Sequence, residues 1–342
     1  KKYNTGLKII FLSLLVIFCS ILTVIFSLKF TRIERNYQDK LVSNLKSNLN
    51  IVVSRISSTT ECIFNDALLN PLILQSTENF LMSETNKPDS HIDFINRLSE
   101  KYYNLNENSL IDYLRIIDSF GKVKLTLPPK SSLDNTSVER SALFNHVEKW
   151  NRRSTGFTIT KDYFGYTLFE PISTNGKQLG FIEVGIDLTR IISLLNNVSN
   201  AETIVYLKRI PTIDYFFLSS ESNFFISSIS EDFAIDKRFY SEESNSDNFM
   251  TPLMVENLDK SLRKFINTDN LKGSSLSKSV PIDGKNYSVT LIPVLDHKAD
   301  ILFYLASVRT DNYLSDLKNK YIIYLIGYSL IALVLLIVFY MM

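Results

Sequence analysis

The chemistry this sequence offers rests on a guanidinium, a carboxylate and a group of aromatic rings. The run IDYLRIID (111–118) holds Arg115 two residues from Tyr113, and the run GFIEVGID (180–187) places Glu183 among apolar residues. A guanidinium presents a planar fork of donors that matches a carboxylate. Glu183 and Asp162 carry the opposite charge and suit an ammonium group. Trp150, Tyr163 and Tyr166 supply ring faces, and the tyrosines add hydroxyl donors, as the walls of a small-molecule pocket require. The same residue types allow a plainer arrangement, in which Arg115 and Glu183 pair with each other or lie on a solvated face.

Side chains two apart on a strand share a face. Tyr113, Arg115 and Ile117 then lie together, opposite Leu114, Ile116 and Asp118. Ile182, Val184 and Ile186 form an aliphatic face, backed by Phe181, Glu183, Gly185 and Asp187, while Tyr166, Leu168 and Glu170 share one side of the preceding strand. The pattern predicts a sheet with one aliphatic face for packing and another that mixes aromatics with a few charges. Tyr113, Arg115, Trp150, Asp162, Tyr163, Tyr166 and Glu183 are the expected lining of a pocket for a small carboxylate or amine. Six of the ten glycines fall between Gly121 and Gly185. Gly176 and Gly180 read as hairpin punctuation, and Gly185, on the Glu183 side, leaves room beside the carboxylate.

These residues need a frame. Residues 111–127 read as two strands turning at Ser119-Phe120-Gly121, followed by a helix over 138–151 and strands over 156–161, 165–172 and 178–187. A helix over 188–197 leads into a second unit that echoes the first. Tyr166 opens a strand reaching Pro171, with a polar turn and a return strand from Leu179. Tyr287 opens one reaching Pro293, with a polar turn and a return strand from Ile301. In both, the proline is expected to end its strand. This order of elements is α+β. Upstream, Ile33, Tyr37, Leu41, Leu45, Leu49, Val52 or Val53, Ile56 and Ile63 recur at helical spacing with no Gly or Pro from 30 to 70, the stripe of a long amphipathic helix. Residues 91–103 read as a further helix.

Several function classes drop out. With 37 basic and 36 acidic residues the net charge is +1, so nothing draws the chain to nucleic acid. His91, His146 and His297 are far apart in sequence, with no HExxH and no cysteine partners, and Cys19 and Cys62 fit neither a disulfide framework nor a zinc site. GxSxG and phosphate-cradling glycine loops are missing. Neither a catalytic centre, a metal nor a cofactor is expected.

The two ends carry the strongest signal. Residues 9–28 hold no charge over twenty positions, about the length that crosses a ~30 Å hydrocarbon core. Residues 321–342 repeat the pattern with tyrosines at both ends. Both read as transmembrane helices, with the chain ends on one side and the middle exported. The chain reads as part of a longer protein whose cytoplasmic portion lies beyond it.

YLRIIDSFGKVKL, the helix ending at Trp150-Asn151-Arg152, and GFTITKDYFGYTLFEPISTNGKQLGFIEVGIDL together resemble the membrane-distal module of double Cache sensory domains, found in bacterial chemoreceptors, diguanylate cyclases and sensor kinases. The resemblance covers about residues 100–200 and is weak after 210. It implies a long membrane-continuous helix carrying two tandem PAS-like modules with antiparallel sheets. The implied divisions are a cytoplasmic N-terminus (1–8), a first span (9–28), a helical stalk (29–100), a distal module (101–200), a proximal module (201–315) and a second span (321–342). It further implies a periplasmic ligand sensor of the inner membrane, lipid-embedded at both ends, homodimeric through the long helix, and not an enzyme in this region. Family ligands lie between the distal sheet and the segment joining its second and third strands. The close-set Arg, Trp and Tyr of the amino-acid-binding branch are not matched; Trp150, Arg152 and Arg153 come nearest. A different reading is a protein-interaction module that engages a periplasmic binding protein or assembly partner without a small-molecule pocket.

Overall fold

A computed structural model describes residues 2–68, 71–82, 96, 111–128, 142–159, 163–174, 176–209, 224–236, 250–264, 266 and 273–341. Helix α1 (Lys2–Leu68) runs unbroken from the apolar N-terminal segment into the amphipathic stripe. Helix α2 (Pro71–Met82) follows. The predicted helix over 91–103 lies almost wholly outside the described residues.

Strands β1 (Tyr113–Asp118) and β2 (Val123–Leu127), helix α3 (Ala142–Trp150), and strands β3 (Ser154–Ile159), β4 (Phe164–Thr174) and β5 (Lys177–Asp187) build a first antiparallel sheet in the order β2-β1-β5-β4-β3. Helix α4 (Leu188–Ser199) starts on Asp187, whose carboxylate accepts from the Thr189 amide at 2.8 Å. It ends on Asn200 in a left-handed conformation, φ 49°. Strands β6 (Glu202–Lys208), β7 (Phe224–Ile226) and β8 (Phe233–Asp236), helix α5 (Pro252–Leu262), and strands β9 (Leu276–Ile282), β10 (Lys285–Leu295) and β11 (Ile301–Thr310) follow. They form a second sheet, β7-β8-β6-β11-β10-β9. With β7 set aside, the two orders match strand for strand. Helix α6 (Tyr313–Met341) closes the described chain.

The prolines do not end their strands. β4 continues to Thr174 and β10 to Leu295. β3 pairs with β4 only as far as Phe169, and β9 pairs with β10 only as far as Leu291. Pro171 and Pro293 therefore stand where β4 and β10 have outrun their outer neighbours, and on that edge no partner asks for an N–H. Each hairpin then breaks register a residue or two further on, at Ile172/Ser173 and Val294/Leu295. The two hairpins are thus alike in structure as well as in sequence.

One apolar layer joins the halves. Leu45, Val52 and Ile56 of α1, with Leu188, Ile191, Ile192 and Leu195 of α4, pack on Leu114, Ile116, Ile182, Val184 and Ile186 of the first sheet. The same layer continues into Val205, Leu207, Ile292, Val294, Phe303 and Leu305 of the second. Phe303 meets Phe157 and Phe164 edge to face at 5.4 and 5.5 Å. Full burial of each such side chain contributes about 1.5–3 kcal/mol, so this layer is the main reason the stalk helix and both sheets hold together. The opposite face of the second sheet is also filled, by Val255, Leu258 and Leu262 of α5 against Ile204, Tyr206, Val280, Val289 and Tyr304.

α1 and α6 are the two described helices long and apolar enough to cross a membrane. They lie side by side, with Phe26 against Tyr321 and Tyr328 and Phe30 against Tyr321, ring centroids 5.8–6.0 Å apart.

Candidate ligand-binding site

The first sheet's face away from α1 holds the candidate residues. β1 and β5 are neighbours in a register that sets Arg115 opposite Glu183 and Tyr113 opposite Gly185. Paired residues share a face at close range. Arg115 Nη1 lies 3.3 Å from Glu183 Oε2, and the Tyr113 hydroxyl donates to Glu183 Oε1 at 2.7 Å. The guanidinium sits 4.7 Å from the Tyr113 ring centroid, and the Tyr163 ring stands edge-on to Tyr113 at 4.7 Å. Arg115, Glu183, Tyr113 and Tyr163 are all buried. Of the alternatives read from the sequence, the pairing holds and the solvated face does not: Arg115 and Glu183 pair, and the pair is buried.

Burial pushes the Glu183 carboxyl up, with the Arg115 charge and the hydrogen bonds from Tyr113 and Arg115 working against it. Burial also raises both tyrosine hydroxyls well above their ordinary value, Tyr113 further through the Glu183 charge and Tyr163 through Tyr113 and the nearby carboxylates. The tyrosines are therefore neutral donors at any physiological pH.

The space beside Gly185 is already occupied. A Cβ there would stand 2.0 Å from Tyr113 Cε1, so the missing side chain admits the tyrosine ring from the neighbouring strand, where the sequence suggested room for something else. At Gly165 a Cβ would meet the Ile186 carbonyl oxygen at 2.1 Å and the Tyr163 hydroxyl at 2.4 Å.

Around the pair lie hydroxyls that sequence reasoning did not single out. Thr126 is opposite Arg115 on β2. Thr158 and Thr167 share a hydrogen bond of 2.6 Å across β3 and β4. Among the described residues, the buried Arg115 Nε and Thr126 Oγ1 have no hydrogen-bond partner. Two adjacent donors left without acceptors in a dry site are what a bound carboxylate or other anionic oxygen would satisfy. The lower end of the same face is apolar, with Phe144 and Val147 of α3 on Ile117, Phe169 and Phe181.

Three expected lining residues are not in this cluster. Tyr166 points the other way, into the layer shared with α1, where its ring meets Phe157 and its hydroxyl donates to Thr155 at 3.0 Å. Strand alternation requires this, because Tyr166 stands opposite Ile186 and so shares its aliphatic face. Trp150 ends α3 and is 56% exposed, its ring under the Lys149 ammonium. Asp162 lies outside the described residues. Arg153 is occupied by Glu170 and, at 3.1 Å, by Glu61 of α1. His146 and His297, far apart in sequence, meet with ring centroids 4.2 Å apart.

No family model matches the chain. No curated protein matches it either. Solved structures with a similar outline include three bacterial sensory domains. The ligand-binding domain of the Pseudomonas fluorescens chemoreceptor CtaA in complex with L-serine is 14% identical, TM-score 0.39, covering 80% of this chain and 96% of its own. That of the Pseudomonas aeruginosa amino-acid chemoreceptor PctB with L-Arg is 11% identical, TM-score 0.38, with 80% and 97% covered. The sensory domain of the Campylobacter jejuni chemoreceptor Tlp3 with isoleucine bound is 13% identical, TM-score 0.38, with 80% and 95% covered.

Proposed function

We propose that this chain is the sensory region of a bacterial inner-membrane receptor, with the part between its two apolar helices exported. Its ligand is a small polar molecule held on the outer face of the distal sheet. The observation that carries this reading is the buried Arg115–Glu183–Tyr113 cluster with donors still unsatisfied at Arg115 Nε and Thr126 Oγ1. In this reading a carboxylate of the ligand accepts from those two donors, and Tyr113 and Tyr163 wall the site. Glu183 holds the guanidinium in place and gives an ammonium group a counter-charge.

α1 supports the rest of the reading. Its inner side touches both sheets, while between residues 43 and 58 its outward side exposes Ser43, Ser47, Ser54 and Ser58 among Lys46, Asn50, Ile51 and Arg55. Small side chains let a second copy of the helix approach closely, and homodimerisation is proposed along this side. Ligand binding shifts α1 against α6 only to the extent that the two arrangements bind the ligand with different affinity.

The reading is tested by a thermal-shift screen of the full chain in lipid nanodiscs against small carboxylates and amines. A ligand that raises Tm in wild type and not in an Arg115→Gln/Glu183→Gln variant is expected. The assignment is sunk if no ligand in the screen separates the two proteins, that is, if every compound that stabilises wild type stabilises the variant equally.

A further inference from the structure

A second polar recess lies far from that cluster, between α1 and the second sheet. Along the sheet face that looks at α1, Ile292, Val294, Phe303 and Leu305 belong to the apolar layer, but further along the same strands the face turns polar at Ser288, Thr290, Ser307 and Arg309. α1 changes in step, from the packed Val52 and Ile56 to Asn44 and Asn48 flanking Leu41 and Leu45. A cavity of about 70 Å³ opens there, lined by these residues with Ser199 and Ala201. It exceeds the space a single water needs.

The lining carries one charge, Arg309, and no acid. Arg309 Nη2 donates to the Tyr37 hydroxyl at 2.8 Å, and Asp311 at 3.7 Å is beyond hydrogen-bond length. A guanidinium has five N–H donors, and this side chain keeps 38% of its surface exposed. Asp311 accepts from Tyr37, from Ser288 at 2.7 Å and from the Tyr313 amide at 2.8 Å. Among the described residues, Asn44, Asn48 and Ser307 make no side-chain hydrogen bond. A further unsatisfied group stands next to them: Thr203, opposite Ser307 on β6, is 3% exposed with its hydroxyl unpartnered among the described residues. Polar groups gathered in a partly enclosed recess, with several donors and a guanidinium whose ion pair with Asp311 is long at 3.7 Å, suit a small anionic guest.

We infer that this recess is a second ligand site, which takes a short-chain carboxylate on Arg309 with Asn44, Asn48 and Ser307 as neutral partners. A guest there touches the stalk helix and the strand that leads into α6, so it acts on the junction of the two apolar helices independently of the distal cluster.

The test uses the full chain in nanodiscs, melted against sodium acetate and sodium lactate, with sodium phosphate and sodium chloride at matched ionic strength. A saturable rise in Tm with acetate or lactate, and none with phosphate or chloride, is expected. Arg309→Gln should weaken that response at least tenfold and Asn48→Leu, which fills the recess, should abolish it; Ser307→Val serves if Asn48→Leu does not fold. The distal Arg115→Gln/Glu183→Gln variant should respond like wild type. The inference is overturned by no saturable rise with either carboxylate, by an equal or sole response to phosphate, by an undiminished response in Arg309→Gln, or by loss of the response in the distal variant.

Discussion

Arg115 and Glu183 hold each other in a site that neither could occupy alone. Removing one partner of a buried ion pair strands the other, which costs about 3–5 kcal/mol, whereas replacing both with apolar residues of similar volume is often neutral or stabilising. Arg115→Ala should therefore lower stability by about that range, and Arg115→Met/Glu183→Leu should return to near wild type, as chemical denaturation would read. A deficit in the double variant equal to that of Arg115→Ala would mean that the pair does not act as one unit. Gly185 offers a second check. Forcing a Cβ against the Tyr113 ring should make Gly185→Ala cost about 1–3 kcal/mol. In a Tyr113→Ala background most of that penalty should vanish, because the clash has lost its partner. An unchanged penalty would place the strain elsewhere. The presence of Arg115 and Glu183 on one face was legible from alternation alone. That they face each other was not, because pairing register between strands separated by some 70 residues is set by tertiary packing. Thr126 stayed hidden for the same reason: it matters only once β2 is aligned on Arg115.

At the level of elements, the junction of α1, β11 and α6 is built on Asp311. Its carboxylate caps α6 through the Tyr313 amide and accepts from Tyr37 and Ser288, while the Tyr37 ring lies 4.6 Å from that of Tyr313. Burial alone would raise this carboxyl, but the hydrogen bonds from Tyr37, Ser288 and Tyr313 and the Arg309 charge outweigh it and hold it below its ordinary value. A carboxyl lowered on folding contributes stability that is present above its unfolded pKa, about 3.9, and is lost as pH falls through the folded value. Asp311→Asn should cost about 1–3 kcal/mol near neutral pH and should lose stability less steeply than wild type as pH falls below about 4. Parallel acid limbs in the two proteins would contradict this. The hairpins show how far an element can be read from sequence. Their repetition is visible in Tyr166–Pro171 and Tyr287–Pro293, but a proline in such a run reads as a strand end. They mark instead where the neighbouring strand stops, which a single strand's sequence does not encode. Tyr166 shows the same limit: alternation groups it with Leu168 and Glu170, and only its register opposite Ile186 turns that side into the aliphatic layer.

For the whole molecule, one continuous apolar layer ties both sheets to α1, and α6 follows directly from β11 through the Asp311 junction. Lys298, exposed at the β10–β11 turn, gives a direct test of the exported orientation. A Lys298→Cys variant should react with a membrane-impermeant maleimide in intact spheroplasts; labelling only after lysis would reverse the topology. The helices themselves were plain in the sequence, since twenty uncharged residues need no tertiary context to be recognised. The central claim is that the Arg115 cluster binds a small polar ligand. Isothermal titration of the ligand found by screening, into wild type and into Arg115→Gln/Glu183→Gln, tests it most directly. Loss of charge-assisted hydrogen bonds worth about 1.5–3 kcal/mol predicts affinity weakened by about 10- to 100-fold in the variant. Equal affinity for the two proteins would contradict the account.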